Sequence, residues 1–203
     1  MRLAPWLTLP LLAASLQAQT PAPNPTTPVS TEFRVFDGTD EVTAITRLRV
    51  HASGTRDVPA IDASRSPVSL APAMYDVQAL RTRDSGIVSI KWVERLSVIH
   101  YPDEGGRHLE VINFQTGYGA LELRANGGRL DPAEVAMFTA GDRRIAAGRP
   151  RAGDGYVLVV ARAGRYDVRV QHATRGGTAD THWLLAVDVP AGRTRLKLID
   201  ARD

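Results

Sequence analysis

Tyr75-Asp76-Val77 and Tyr166-Asp167-Val168 lie 91 residues apart, and so do Trp92 and Trp183. The chain holds only three Trp and five Tyr, so two landmarks sharing one offset mark a duplication. Whatever fold this sequence adopts, it must contain one structural unit twice.

The units read as strands. Short alternating runs are separated by Gly, Pro, Asp and Asn clusters at intervals of about 8–12 residues, the pattern of an all-β sandwich or barrel. In the second copy Leu121 to Arg124, Val135 to Phe138 and Tyr166 to Gln171 alternate apolar and polar residues, while Tyr156 to Val160 is continuously apolar. Alternation predicts that Trp183, Leu185, Val187 and Val189 share one inward face, and that Leu196 and Leu198 close the unit. Asp131-Pro132-Ala133-Glu134 has the composition of one helical turn before a strand. The first copy follows in step, with Phe33 and Val35, a strand within Val42 to Val50, then Tyr75, Val77 and Ala79, and finally Trp92, Leu96 and Val98. From Leu109 and Val111 to Leu196 and Leu198 the offset drops to 87, which places about four extra residues in the turn Pro102 to Gly106, where surface loops tolerate insertion. Glu94 breaks the pattern by standing where the second copy has Leu185. A carboxylate on an inward face needs a partner, a sheet edge or an interface.

Ahead of the repeats, Arg2 and the 14-residue apolar stretch Leu3 to Leu16 read as a secretory signal cleaved near Ala18. That stretch contains Pro5 and Pro10 and is too short to cross a bilayer core of about 30 Å as a helix. Pro21, Pro23, Pro25 and Pro28 then favour an extended tether. The expected organisation is signal peptide 1–19, Pro/Thr-rich linker 20–31, repeat 1 at 32–116 and repeat 2 at 117–203. The mature chain is expected to lack a membrane span and to be periplasmic or extracellular. The absence of Cys excludes disulfides, thiolate chemistry and a lipidated N-terminal cysteine, so a lipoprotein is not expected. The formal charge of +3 comes from 25 Lys and Arg against 22 Asp and Glu, and the two signs are interspersed. Nucleic acid is therefore not an expected partner, because its binding asks for a basic stripe interleaved with stacking aromatics.

Leu70-Ala71-Pro72-Ala73-Met74-Tyr75-Asp76-Val77 resembles the L-x-P-G-x-Y-D-V signature of carboxypeptidase-regulatory-like, or transthyretin-like (prealbumin-type), β-sandwich domains of secreted bacterial proteins. Val160 to Val168 resembles it again, with Gly164 at the position that Ala73 holds in the first copy. The resemblance spans about residues 32–200 and implies two tandem Ig-like Greek-key sandwiches acting as structural, adhesive or regulatory accessories. It implies no catalytic residue. On physical grounds the Gly would permit a positive φ, and the Tyr would bury its ring and bond nearby backbone as a tyrosine corner. The Asp would face outward and accept turn N–H groups, and the Trp would fill the core.

Candidate chemistry is sparse. His172 and His182 flank one hairpin, but strand parity puts them on opposite sides of the sheet, and the sister positions are Arg81 and Lys91. His100 and His108 flank a turn with Asp103 and Glu104. Asp37-Gly38-Thr39-Asp40-Glu41 concentrates three carboxylates without the ligand order of a calcium-binding helical hand. No G-x-S-x-G is present, and Ser53-Gly54 and Ser85-Gly86 read as turns. No catalytic, cofactor or metal residue is assigned, and no cofactor. The expected function is a non-enzymatic structural or protein-binding module whose partner is another envelope or extracellular protein. The alternative is polysaccharide binding, for which Tyr101, Tyr118, Phe138 and Tyr156 are the candidate platform. An enzyme is the remote third.

Overall fold

The structure is a computed structural model that describes residues 27–99, 107–126, 128–173 and 179–200. Hence the signal, most of the Pro-rich segment, and His100, Tyr101, Asp103 and Glu104 lie outside the described residues.

The first half of the chain forms β1 (Val29–Asp37), β2 (Asp40–Glu41), β3 (Thr46–Ala52), β4 (Ile61–Asp62), β5 (Val68–Leu70), β6 (Ala73–Thr82), β7 (Val88–Val98) and β8 (Arg107–Asn113). The second forms β9 (Tyr118–Asn126), β10 (Val135–Thr139), β11 (Asp142–Ala146), β12 (Arg151–Ala152), β13 (Val157–Arg162), β14 (Gly164–Ala173), β15 (Ala179–Val189) and β16 (Thr194–Asp200). One-turn 3-10 segments precede β3 and β10, at Thr43–Ile45 and Pro132–Glu134. The second carries a capping box, in which the Asp131 side chain accepts from Ala133 N while Glu134 accepts from Asp131 N.

The strands build four sheets. In sheet A, β1 pairs with β2 and β5 on one side and runs parallel to β8 on the other. Sheet B has the order β4-β3-β6-β7, sheet C β12-β13-β9-β16, and sheet D β11-β10-β14-β15. In sheet C the first and last strands of the second half, β9 and β16, again run parallel. The protein is thus all-β, built from face-to-face sheets.

Three apolar layers join the four sheets. Phe33 and Val35 of sheet A meet Leu48, Val50, Val77 and Ala79 of sheet B in a first core. Leu121, Leu123, Val157 and Val159 of sheet C meet Met137, Val168 and Val170 of sheet D in a second. A third layer joins sheets A and C. Phe36, Leu109 and Val111 pack there against Ala120, Tyr156, Leu158 and Val160. The sheets therefore stack in the order B, A, C, D. This explains the unbroken apolar run Tyr156 to Val160. Alternate residues of β13 face the second core and the third layer, so the strand is buried on both faces and has no polar side to show.

Charged groups also meet at this junction. Arg34, 8% exposed, donates to Glu41 through Nε and Nη2 (2.9 and 2.6 Å) and to the Ala152 carbonyl across the junction (3.1 Å). The Tyr156 hydroxyl donates to Glu32 (2.7 Å). Burial, followed by the Glu32 carboxylate, raises the Tyr156 pKa. Arg107 pairs with Asp154, and Arg151 donates to the Thr39 carbonyl (3.0 Å).

The closing strands depart from the alternation expected of them. Ile112 and Ile199, 87 apart, are the buried residues of β8 and β16 that face the cores. Leu198 is 44% exposed, because it stands one residue out of phase with Ile199.

Candidate functional site

The residues shared by the two copies meet at one place in each. Tyr75 and Tyr166 are buried, and their hydroxyls donate to the carbonyls four residues upstream, Ala71 (2.8 Å) and Arg162 (2.6 Å). Gly164 has no positive φ, contrary to expectation. It opens strand β14, and a Cβ there would come no closer than 3.6 Å to the Tyr166 ring. Ala73 at the sister position needs no special turn.

Asp76 and Asp167 point away from the cores, as expected, yet each is buried on the outer face of its sheet. Asp76 accepts from the backbone N–H of Arg95 (3.0 Å), the Ser53 hydroxyl (3.1 Å) and Gly54 N (3.4 Å). Asp167 accepts from Ala186 N (3.0 Å) and Gly141 N (3.5 Å). Each carboxylate thereby ties the turn after β3 or β10 to the edge strand β7 or β15. Bonds from the Arg95 and Ala186 amides, with the arginines and turn amides behind them, hold both carboxyls below their ordinary range.

Those amides belong to β-bulges. Arg95 (φ 55°) and Ala186 (φ 52°) are left-handed, and the ladder register slips opposite Asp76 and Asp167. A bulge places two residues opposite one and reverses the facing of everything beyond it. Four expectations fail for this reason. Trp92 and Trp183 lie half-buried on the outer faces of sheets B and D, not in the cores. Leu185 is 63% exposed, while Val187 and Val189 face the core. Glu94 leaves the inward face for solvent, and has the sheet edge and the partner that its carboxylate requires: it stands on edge strand β7 and accepts from Arg56 (2.6 Å). His182 pairs directly with Val170, so it shares the face of His172 instead of opposing it.

On each outer face an arginine covers the Trp. The Arg56 guanidinium lies 4.3 Å above the Trp92 ring and donates to Asp76 and Glu94. Arg143 lies 4.0 Å above Trp183 and donates to Asp167 (3.0 Å). Cation–π contact and the buried carboxylate fix the guanidinium together. His51 and Phe138 flank the respective indoles, each at 5.9 Å. Sequence reasoning missed this Asp–Arg–Trp clamp because Arg56 and Arg143 stand 87 apart, off the 91-residue register.

The expected ligand clusters do not gather. Asp37 accepts from Gln115 and Arg81, and Glu41 is engaged by Arg34, so these two carboxylates of the acidic loop are directed at donors of the chain itself. His172 lies 3.5 Å from Glu134, and His108 3.7 Å from Glu110. Among the described residues no group of three or more His, Asp or Glu is placed to hold a metal ion. Tyr156 and Phe138 are buried and form no exposed platform.

Where the copies differ, repeat 1 has an open groove of about 640 Å³ on the outer face of sheet B. Arg47, Arg49 and His51 of β3 form one side, and the loop from Arg56 to Ala60, with Val58 exposed, forms the other. The corresponding positions on the second outer face are Glu134, Ala136 and Phe138.

No protein-family model matches the chain, and no curated protein matches its sequence. Several solved structures share a distant likeness. A candidate cell adhesion protein from Bacteroides fragilis is 10% identical with a TM-score of 0.29, the alignment covering 85% of this chain and 92% of that one. A candidate adhesin from Bacteroides ovatus is 10% identical at 0.27, covering 80% and 82%. The Bacillus anthracis TIE protein is 8% identical at 0.30, covering 86% of this chain and 34% of that one. Likeness at this level carries no inference of function. No helix among the described residues is long and apolar enough to cross a membrane.

Proposed function

We propose that this chain is an exported, non-enzymatic binding scaffold. Two sandwich repeats, 32–116 and 117–203, are fused into one stiff body that presents the outer face of sheet B to another envelope or extracellular protein. Export is inferred from the Arg2 to Leu16 run and the Pro-rich tether after it. The tyrosine corners and the Tyr-Asp-Val signatures favour carboxypeptidase-regulatory-like repeats as the kinship.

One observation carries the reading. In both copies the shared residues are consumed by structure: the Tyr by its corner, the Asp by the bulge, the Trp by its arginine cover. The groove of Arg47, Arg49, His51 and Val58 is lined by side chains that the other copy does not share. An indole face already covered by a guanidinium is closed to sugar stacking, which favours a protein partner over a polysaccharide.

The test is capture from an envelope extract with the tagged mature chain. The expected result is a saturable protein partner that an Arg47→Glu/Arg49→Glu variant loses while its melting is unchanged. Equal capture by both proteins, or retention on acidic polysaccharide alone, would reject the reading.

A further inference from the structure

The two long edge strands, β7 and β15, differ in a way that the fold does not require. Val88, Ile90 and Trp92 of β7 correspond to Ala179, Thr181 and Trp183 of β15. In the ladder with β6 they stand opposite Thr82, Leu80 and Gln78, so all three lie on the outer face of sheet B. Val88 is 53% exposed and Ile90 55%, and Ile87 in the adjoining turn is 62% exposed. A bare edge offers unpaired N–H and C=O groups to any strand of matching pattern, and proteins ordinarily blunt such edges. Here the Arg95 bulge blunts the far end, and Lys91 is the one charge within Val88 to Val93, which pair regularly with β6.

We propose that a second copy of this chain pairs antiparallel with β7 about a two-fold axis at Ile90, making sheet B continuous across a homodimer. A two-fold axis normal to the sheet keeps each residue on its own face, so paired residues must have numbers that sum to an even value. Centring on Ile90 sets Ile90 against the partner's Ile90, Val88 against the partner's Trp92, and Ser89 against the partner's Lys91. The outer face then gains an unbroken apolar strip, and no like charges are opposed. Centring on Lys91 would oppose two ammonium groups, which is unfavourable for direct cross-strand neighbours. Centring on Ser89 would leave Trp92 facing Gly86 in the turn. The chain's own Pro-rich segment is a poor occupant, because Pro21, Pro23, Pro25 and Pro28 have no N–H to give to a ladder. Isologous pairing of this kind is the commonest route to a soluble dimer. This inference is independent of the partner proposed above, since it needs only purified protein.

The test exploits the absence of Cys from the chain. Directly opposed antiparallel residues have Cα atoms about 4.5–5.5 Å apart, within disulfide reach. An Ile90→Cys variant of the mature chain is expected to form a covalent dimer under mild oxidation, while Thr181→Cys, also exposed on β15, stays monomeric. Sedimentation equilibrium should show a concentration-dependent dimer for the wild type, and Ile90→Lys should weaken it at least about tenfold with unchanged melting. Three results would each overturn the proposal: a wild type monomeric at about 100 µM, no cross-link at Ile90→Cys, or a Thr181→Cys cross-link formed as fast.

Discussion

Removing the Phe36 ring tests the layer that joins sheets A and C. Phe36 has no exposed surface and packs among Leu109, Val111, Ala120 and Leu158, while Arg34 and Arg151 stand 6.0 and 5.6 Å from its ring centre. Phe36→Ala removes a buried aromatic from a site walled by two sheets that cannot easily collapse, at an expected cost of about 3–5 kcal/mol. It also strips Arg34 and Arg151 of their aromatic face, which places the value toward the upper end. With a urea m-value of about 1–3 kcal/mol/M for small proteins, the midpoint should fall by roughly 1–5 M. Equilibrium urea unfolding, followed by near-UV and far-UV circular dichroism, measures it. Ile145→Ala, at a residue 79% exposed, is the control and should stay within about 0.5 kcal/mol of wild type. A Phe36→Ala cost under about 1 kcal/mol would mean that this layer is not packed as described.

Four further outcomes are expected. Tyr156→Phe should cost about 1.5–3 kcal/mol in chemical denaturation, because it leaves the Glu32 carboxylate without its buried donor. Gly119→Ala should destabilise strongly in thermal melts, since a Cβ there would fall 2.0 Å from the Pro190 carbonyl oxygen, whereas Gly164→Ala should be neutral or gain up to about 1 kcal/mol. Asp76 and Asp167 have folded-state pKa values below the ordinary 3.8, so the stability they contribute is complete above that value and lost as pH falls through the lower folded ones. Melting temperature should therefore drop on acidification below about pH 4, and an Asp76→Asn/Asp167→Asn protein should show a shallower drop. Arg143→Ala should uncover Trp183, seen as greater quenching of its fluorescence by acrylamide, with no loss of secondary structure.

Much of the scaffold was legible because strand alternation and a repeated offset are local signals. The tyrosine corners and the turn before β10 both follow from residues a few positions apart. The inward face of β7 and β15 was not legible. One left-handed residue in each, Arg95 and Ala186, reverses the alternation, and neither residue type advertises such a φ. The apolar triplet Trp183-Leu184-Leu185, which no single-faced strand needs, was the available hint. The third layer had a clearer signal in Tyr156 to Val160. What that run could not name was the opposing surface, since Phe36, Leu109 and Val111 come from strands more than 40 residues away. The outer-face clamp was hidden because its arginines sit beyond a turn of different length in register, 87 residues apart rather than 91. The groove beside Arg47 and Arg49 could not be read from sequence at all, because its walls come from a strand and a loop that only the fold brings together.

The central claim is that the two sandwiches are one body, held by the buried layer between sheets A and C and by the Arg34 and Tyr156 bonds across it. Differential scanning calorimetry of the mature chain tests it most directly. A single transition whose calorimetric and van't Hoff enthalpies agree is the predicted result. Two resolved transitions, each reproduced by an isolated half divided near Gly117, would contradict it.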